Sequence, residues 1–297
     1  MNLFYKNYMV GTGNGADWCV EIHPPERPVK SYWEEIKTVC GMVYEQRTAP
    51  LQLCLSGGLD SEFVLATLLS LGIPVEVVIM KTQYNHHETQ FAFRYCESKN
   101  ITPTIVDLDY DWFVESGKLI EIAESACCSS WQWTANMWLT EQLSGTVITG
   151  DDPPHMTLNT ENNVWYVDED EVHHSLLTFW KQKNISGTPF MLKHNAESML
   201  SFLLDPYIQK LANHQYLGKL GSNSTKVLVF NRTSNFNLEE RIKQHGYEMV
   251  EMSNIFNHPD IQTVISWKQK WNGISRHPYH DLVNKLSTGQ TSTAGHW

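Results

Sequence analysis

Apolar residues in this chain fall into short runs separated by glycine- and proline-rich turns. Leu51-Gln52-Leu53-Cys54-Leu55 stops at Ser56-Gly57-Gly58-Leu59-Asp60-Ser61, and Phe63-Val64-Leu65-Ala66-Thr67-Leu68-Leu69 then resumes at helical spacing. The first run reads as a buried strand and the second as a helix. Leu71-Gly72-Ile73-Pro74 is a helix stop, and Val75-Glu76-Val77-Val78-Ile79-Met80 predicts a second strand. An amphipathic helix follows Tyr84-Asn85-His86-His87-Glu88 through Phe91, Phe93, Tyr95 and Cys96, and Thr104 to Leu108 is a third strand. Asp111 to Ala126 and Trp131 to Leu143 predict two more helices, with Trp131, Trp133 and Trp138 as packing residues. Thr146-Val147-Ile148-Thr149 is a fourth strand, running into Gly150-Asp151-Asp152-Pro153-Pro154. Ahead of the first strand, Ser31 to Arg47 carries Trp33, Ile36, Val39, Cys40 and Val43 at helical spacing, with Ser31 placed to cap. The strand–helix–strand rhythm predicts an α/β fold with a doubly wound parallel sheet and a helical C-terminal region.

Outside this rhythm the signals weaken. Gly11-Thr12-Gly13-Asn14-Gly15 lacks the G-x-G-x-x-G spacing and predicts a hairpin turn. Thr157 to Glu171 reads as a surface loop or lid, and its run Asp168-Glu169-Asp170-Glu171 as a solvated face. Val172 to Lys181 predicts a helix, Leu192 to Tyr216 a helix broken near Asp205-Pro206, and Val227-Leu228-Val229-Phe230 a late strand. From Ser287 the residues are small and polar, which predicts disorder. The expected parts are a hairpin and helix (1–48), an α/β core (49–156), a mostly helical substrate or lid region (157–286) and a tail (287–297).

Composition bounds the class. With 297 residues, 41% hydrophobic and 19% charged, the chain is an ordinary globular protein of one large or two modest domains. No apolar run reaches the ~18 residues of a membrane span. Met1 to Val10 has no long apolar core, so no secretory leader is expected. Six scattered cysteines, none in C-x-x-C, suit a reduced, cytoplasmic setting. A net charge of -11 is a poor surface for wrapping nucleic acid. The charge is uneven, with 10 Lys and Arg against 6 Asp and Glu from Pro206 onward. Two readings stay open: a solvated surface, or a rear that supplies cations to a site in the front.

The chemistry concentrates at residues 56–61. Two glycines permit a tight turn with bare amides, and amides at a helix start suit phosphate or pyrophosphate. Asp60 would repel a phosphate unless Mg²⁺ lay between them, as carboxylates and phosphates commonly share that ion. No lysine follows the glycines, so this is not a Walker loop. Ser56, Gly57, Gly58, Asp60 and Ser61 reproduce S-G-G-x-D-S, and the stretch resembles the PP-loop of the ATP pyrophosphatase superfamily. That resemblance implies a fold of the HUP type, ATP binding, cleavage between the α and β phosphates, and a substrate adenylate with release of pyrophosphate. Three further places are similar to the synthetase domain of asparagine synthetases and β-lactam synthetases: Tyr84-Asn85-His86-His87-Glu88, Thr149-Gly150-Asp151-Asp152-Pro153-Pro154, and Glu197 to Pro206. On this resemblance Ser56, Gly57, Gly58, Leu59, Asp60, Ser61 and Gly150 meet the pyrophosphate. The strand end Ile79, Met80 and Lys81 meets adenine. Asp60 with Asp151 or Asp152 holds Mg²⁺, and Lys226, then Arg232, is the cation facing the phosphates.

The departures from that family narrow the expectation. Residue 2 is Asn2, where glutamine-dependent members carry a catalytic cysteine, and only about fifty residues precede the loop. Nitrogen is therefore expected from ammonia, an amine substrate or a partner subunit. The Asp-Glu pair that follows the second acidic motif in the family is missing after Gly150-Asp151. His86-His87 and His173-His174 lack metal-ligand spacing, and Cys127-Cys128 reads as two buried helix cysteines. The expected activity is an AMP-forming synthetase that adenylates a small-molecule carboxylate with ATP and Mg²⁺. Two other classes remain open: a tRNA- or DNA-base-modifying enzyme, and a non-catalytic nucleotide-binding partner subunit.

Overall fold

Residues 8–10, 20–151, 153–214, 222–241, 246–268 and 274–294 are described in the computed structural model. The antiparallel pair β1 (Tyr8–Val10) and β2 (Val20–Ile22) leads to α1 (Tyr32–Gln46), which buries Tyr32, Ile36, Val39, Cys40 and Val43 on one stripe. Glu35 shares that buried stripe because Arg27 and the Lys30 amide hold its carboxylate. Ser31 occupies the N-cap, but its side chain makes no cap bond.

Next come β3 (Leu51–Cys54), α2 (Leu59–Ser70), β4 (Glu76–Lys81), α3 (His86–Ser98), β5 (Thr104–Asp107), α4 (Tyr110–Glu115), α5 (Lys118–Ala126), α6 (Trp131–Glu141) and β6 (Thr146–Thr149). The helix expected over 111–126 divides at Gly117, whose φ of 75° ends one helix and starts the next. The hairpin β7 (His155–Asn159) and β8 (Val164–Asp170), then α7 (Glu171–Lys183), precede the short strand β9 (Gly187–Thr188). The main sheet has the order β5-β4-β3-β6-β9 and is parallel throughout. The chain builds outward from β3 through β4 to β5, then returns to β3's other side with β6. This reversal places the β3 and β6 tips at a switch point, where open α/β sheets bind ligands. The α/β, doubly wound parallel sheet is thus present as the periodicity predicts.

Alternation along the strands divides the core. Leu53, Val77, Ile79 and Ile148 face a layer that includes Phe63 and Tyr32, while Val147 faces a layer built on α4 to α7. The rest of the chain comprises α8 (Ala196–Leu203), α9 (Pro206–Ala212), α10 (Ser222–Ser234), α11 (Gly246–Glu251), α12 (Pro259–Ser266), β10 (Ile274–Pro278), α13 (Tyr279–Ser287) and β11 (Ser292–Ala294).

Several expectations are corrected here. Residues 157–171 are not a surface loop: β7, β8 and β10 form an antiparallel sheet. Within the acidic run, Asp168 and Glu169 are buried, and Asp170 caps α7 through the Val172 amide. Val227 to Phe230 is helical, inside α10, because Phe230 stacks on Phe63 with centroids 4.1 Å apart. The tail is not uniformly disordered, since β11 pairs with β2. The expected turn at Gly11–Gly15 lies outside the described residues. Among the described residues, no helix is long and apolar enough to cross a membrane.

Candidate active site

Strand β3 is prolonged by the Leu55 amide, which donates to the Val78 carbonyl at 2.8 Å, and the chain then turns. Gly57 adopts φ 84°, and a Cβ there would lie 2.2 Å from the Glu88 carbonyl oxygen, so glycine is required twice over. Gly58 is the N-cap of α2 and receives no side-chain cap bond to its helix amides. Its own amide donates to Ser56 Oγ at 3.2 Å, and Ser61 Oγ donates to its carbonyl at 3.1 Å. Gly150, at the tip of β6, closes the other side, where a Cβ would meet Ser61 Cα at 2.5 Å. The two glycine-bearing tips thus touch, and the positive end of the α2 dipole opens between them.

A cavity of about 310 Å³ starts at this contact. Ser56, Gly58, Asp60, Ser61, Met80, Gly150 and Asp151 line it, which brings together half of the residues singled out in the sequence. The others stand differently. Gly57 shapes the loop without lining the cavity, Leu59 and Ile79 are buried in the core, and Lys81 is exposed at the end of β4. Asp152 lies outside the described residues. Lys226, on α10, donates to Asp60 Oδ2 at 3.1 Å, so the rear of the chain does bring a cation to the loop. Arg232, on the same helix, pairs instead with Asp205, which also caps α9. The structure therefore does not bring Arg232 to the cavity.

The far wall is aromatic, with Tyr84, Tyr110, Trp133 and Tyr247. Burial pushes the Tyr110 and Tyr247 hydroxyls upward in pKa. The Tyr110 hydroxyl is buried with no hydrogen-bond partner among the described residues. Burial likewise pushes Cys54 up to about 12, so this thiol stays protonated and serves as packing.

Behind Asp151 lies a cluster that the sequence did not reveal. His173 Nε2 is 3.2 Å from Asp151 Oδ2, and Nδ1 is 2.8 Å from Glu169 Oε2. Lys193 Nζ sits 3.0 Å from that Glu169 oxygen and 3.6 Å from Asp151 Oδ2. Burial pushes Glu169 up, but Lys193 and His173 outweigh it and hold the carboxyl at about 2. Burial and Lys193 push His173 down, yet Asp151 and Glu169 prevail and raise it to about 9. These partners are far apart in sequence, and only the four-residue spacing from Glu169 to His173 could have hinted at them.

Among the described residues, no group of three or more His, Cys, Asp or Glu could hold a metal ion alone. Asp60 and Asp151 both line the cavity, and one or two carboxylates together with phosphate oxygens are the usual donors to Mg²⁺.

No family model matches the chain, and no curated protein matches it. Among solved structures, it is similar to a predicted subunit of tRNA methyltransferase from Methanocaldococcus jannaschii at 13% identity and TM-score 0.33, covering 66% of this chain and 95% of that one. NMN synthetase from Francisella tularensis is similar at 13% identity and TM-score 0.29, covering 72% and 98%. NH3-dependent NAD synthetase from Campylobacter jejuni subsp. jejuni is similar at 16% identity and TM-score 0.28, covering 71% and 97%.

Proposed function

We propose that this chain is an AMP-forming synthetase: it binds ATP at residues 56–61, cleaves it between the α and β phosphates, and adenylates a small-molecule carboxylate for C–N bond formation. One observation carries this reading. A glycine turn opens a helix start at the switch point of a parallel sheet, and the cavity there is lined by Asp60, in the first turn of α2, and by Asp151, just past β6.

The loop and the α2 dipole would bind the pyrophosphate end of the nucleotide. In the first step an acceptor carboxylate oxygen bonds to the α-phosphorus, the bond to the bridging oxygen breaks, and pyrophosphate leaves with the electron pair. An amine or ammonia then attacks the acyl carbon and AMP departs. Lys226, already beside Asp60, is placed to neutralise charge on the leaving pyrophosphate. Asp60 and Asp151 would hold Mg²⁺, which when bound screens the carboxylates from the phosphates and withdraws charge from the leaving group. The aromatic wall offers apolar faces to adenine or to the body of the acceptor.

The test is incubation with ATP, Mg²⁺ and a metabolite mixture, resolving AMP plus pyrophosphate from ADP plus phosphate. The expected products are AMP and pyrophosphate, and Asp60→Asn should abolish them while leaving the melting curve near that of the parent. ADP and phosphate as sole products would overturn the reading. Tight ATP binding without turnover would favour a non-catalytic module instead.

A further inference from the structure

Asp151 is held from behind. Its Oδ2 is buried against His173 and Lys193, at 3.2 and 3.6 Å. The ring of His173 meets a carboxylate at each nitrogen: Nδ1 is hydrogen-bonded to Glu169 Oε2 and lies 3.4 Å from Lys193 Nζ, while Nε2 stands at ion-pair distance from Asp151 Oδ2. Phe190 and Trp133 box that ring edge-on, at 5.1 and 6.1 Å between centroids. Lys193 and Glu169 close the circuit, with side chains 1% and 2% exposed. Two basic and two acidic side chains therefore close on one another behind the cavity. With Oδ2 buried, the 11% exposure of the Asp151 side chain falls on its other atoms, and Asp151 lines the cavity.

We propose that His173, Lys193 and Glu169 are positioning residues for Asp151. They lock it so that Oδ1 alone is presented to the cavity, as a one-oxygen ligand for the divalent cation that accompanies ATP. Glu169 holds Lys193, whose ammonium would otherwise turn wholly onto Asp151 and compete with that cation. This rests on the nucleotide site proposed above. Its distinctive consequence is that Glu169, which does not line the cavity, governs cation affinity.

The experiment is calorimetric ATP binding to the full chain over a series of Mg²⁺ concentrations, with melting curves alongside. Asp151→Asn should remove the Mg²⁺-dependent part of the affinity. Glu169→Gln takes away the carboxylate that shares Lys193 with Asp151, and should raise the half-saturating Mg²⁺ concentration by about ten-fold or more without weakening ATP binding in EDTA. The double variant Glu169→Gln/Lys193→Met removes one charge of each sign. It should return to within about three-fold of the parent, because opposite buried charges can be removed together with little loss of fold. A purely structural role would lower binding with and without Mg²⁺ alike, in step with the melting temperature, and would overturn the proposal. So would parental Mg²⁺ dependence in Glu169→Gln or a persistent loss in the double variant, and in those cases the nucleotide site stands. If the parent itself shows no Mg²⁺-dependent ATP binding, the site and the proposal fall together.

Discussion

Single residues decide whether the loop can serve a phosphate. Gly57 combines positive φ with a backbone oxygen 2.2 Å from where a Cβ would sit. Gly57→Ala should therefore cost more than the roughly 1–2 kcal/mol of a left-handed residue alone, because the Glu88 carbonyl must also move. A lower melting temperature together with lost ATP binding is the expected pair of results; normal binding would mean that the loop bends elsewhere. The two late cations part company here. Lys226 lies on Asp60, whereas Arg232 lies on Asp205. Lys226→Ala should slow AMP formation by about a hundred-fold, the scale of losing one well-placed charge stabiliser. Arg232→Ala should leave turnover nearly intact but cost about 2–4 kcal/mol of stability, since the Arg232 side chain is 41% exposed while the Asp205 side chain it neutralises is 1% exposed. Equal kinetic effects from the two variants would refute this division.

At the scale of elements, α10 joins the core to the site. Lys226 and Phe230 are four residues apart and so share a face of the helix. Phe230 stacks on Phe63 of α2, the helix that begins at the loop. Phe230→Ala should cost about 3–5 kcal/mol and weaken ATP binding as well, because Lys226 loses its anchor. Phe230→Leu should keep the fold and move ATP binding less; urea unfolding beside ATP titration measures both. The sequence misread this helix because Val227-Leu228-Val229-Phe230 is a β-branched and aromatic run, and tertiary packing overrode that propensity. The β7–β8 hairpin was hidden for the opposite reason: Asp168 and Glu169 are poor strand residues, and burial of their charges depends on Arg276 and Lys193, far along the chain. What was legible was local. The β3–loop–α2 unit shows its strand run, its glycines and its helix within twenty residues, and the other parallel strands repeat the rhythm. The ring behind Asp151 draws on β8, α7 and the segment before α8, and beyond the Glu169–His173 spacing nothing in the sequence encodes such a meeting.

Over the whole molecule, two histidines of opposite shift, His173 largely buried and His277 fully so, set how stability responds to pH. His173 is held at about 9, above its ordinary 6.5, so the folded state binds that proton more tightly than the unfolded chain does. Its contribution is complete below pH 6.5 and is lost as pH rises toward 9. His277 is held at about 4, chiefly by burial, with Nδ1 2.9 Å from Ser292 Oγ. There the unfolded chain takes the proton first, so stability falls as pH drops from 6.5 toward 4. Glu169, held at about 2, adds a further loss below pH 4.5. The three together predict a stability maximum between about pH 6 and 7, with each histidine limb worth up to about 3 kcal/mol. Melting temperatures across pH 4 to 9 at constant ionic strength measure the curve. His277→Asn should flatten the acid limb and spare the alkaline one, while His173→Gln should do the reverse. A parent whose melting temperature stays level from pH 5 to 9 would show that neither ring holds its proton as the packing around it requires.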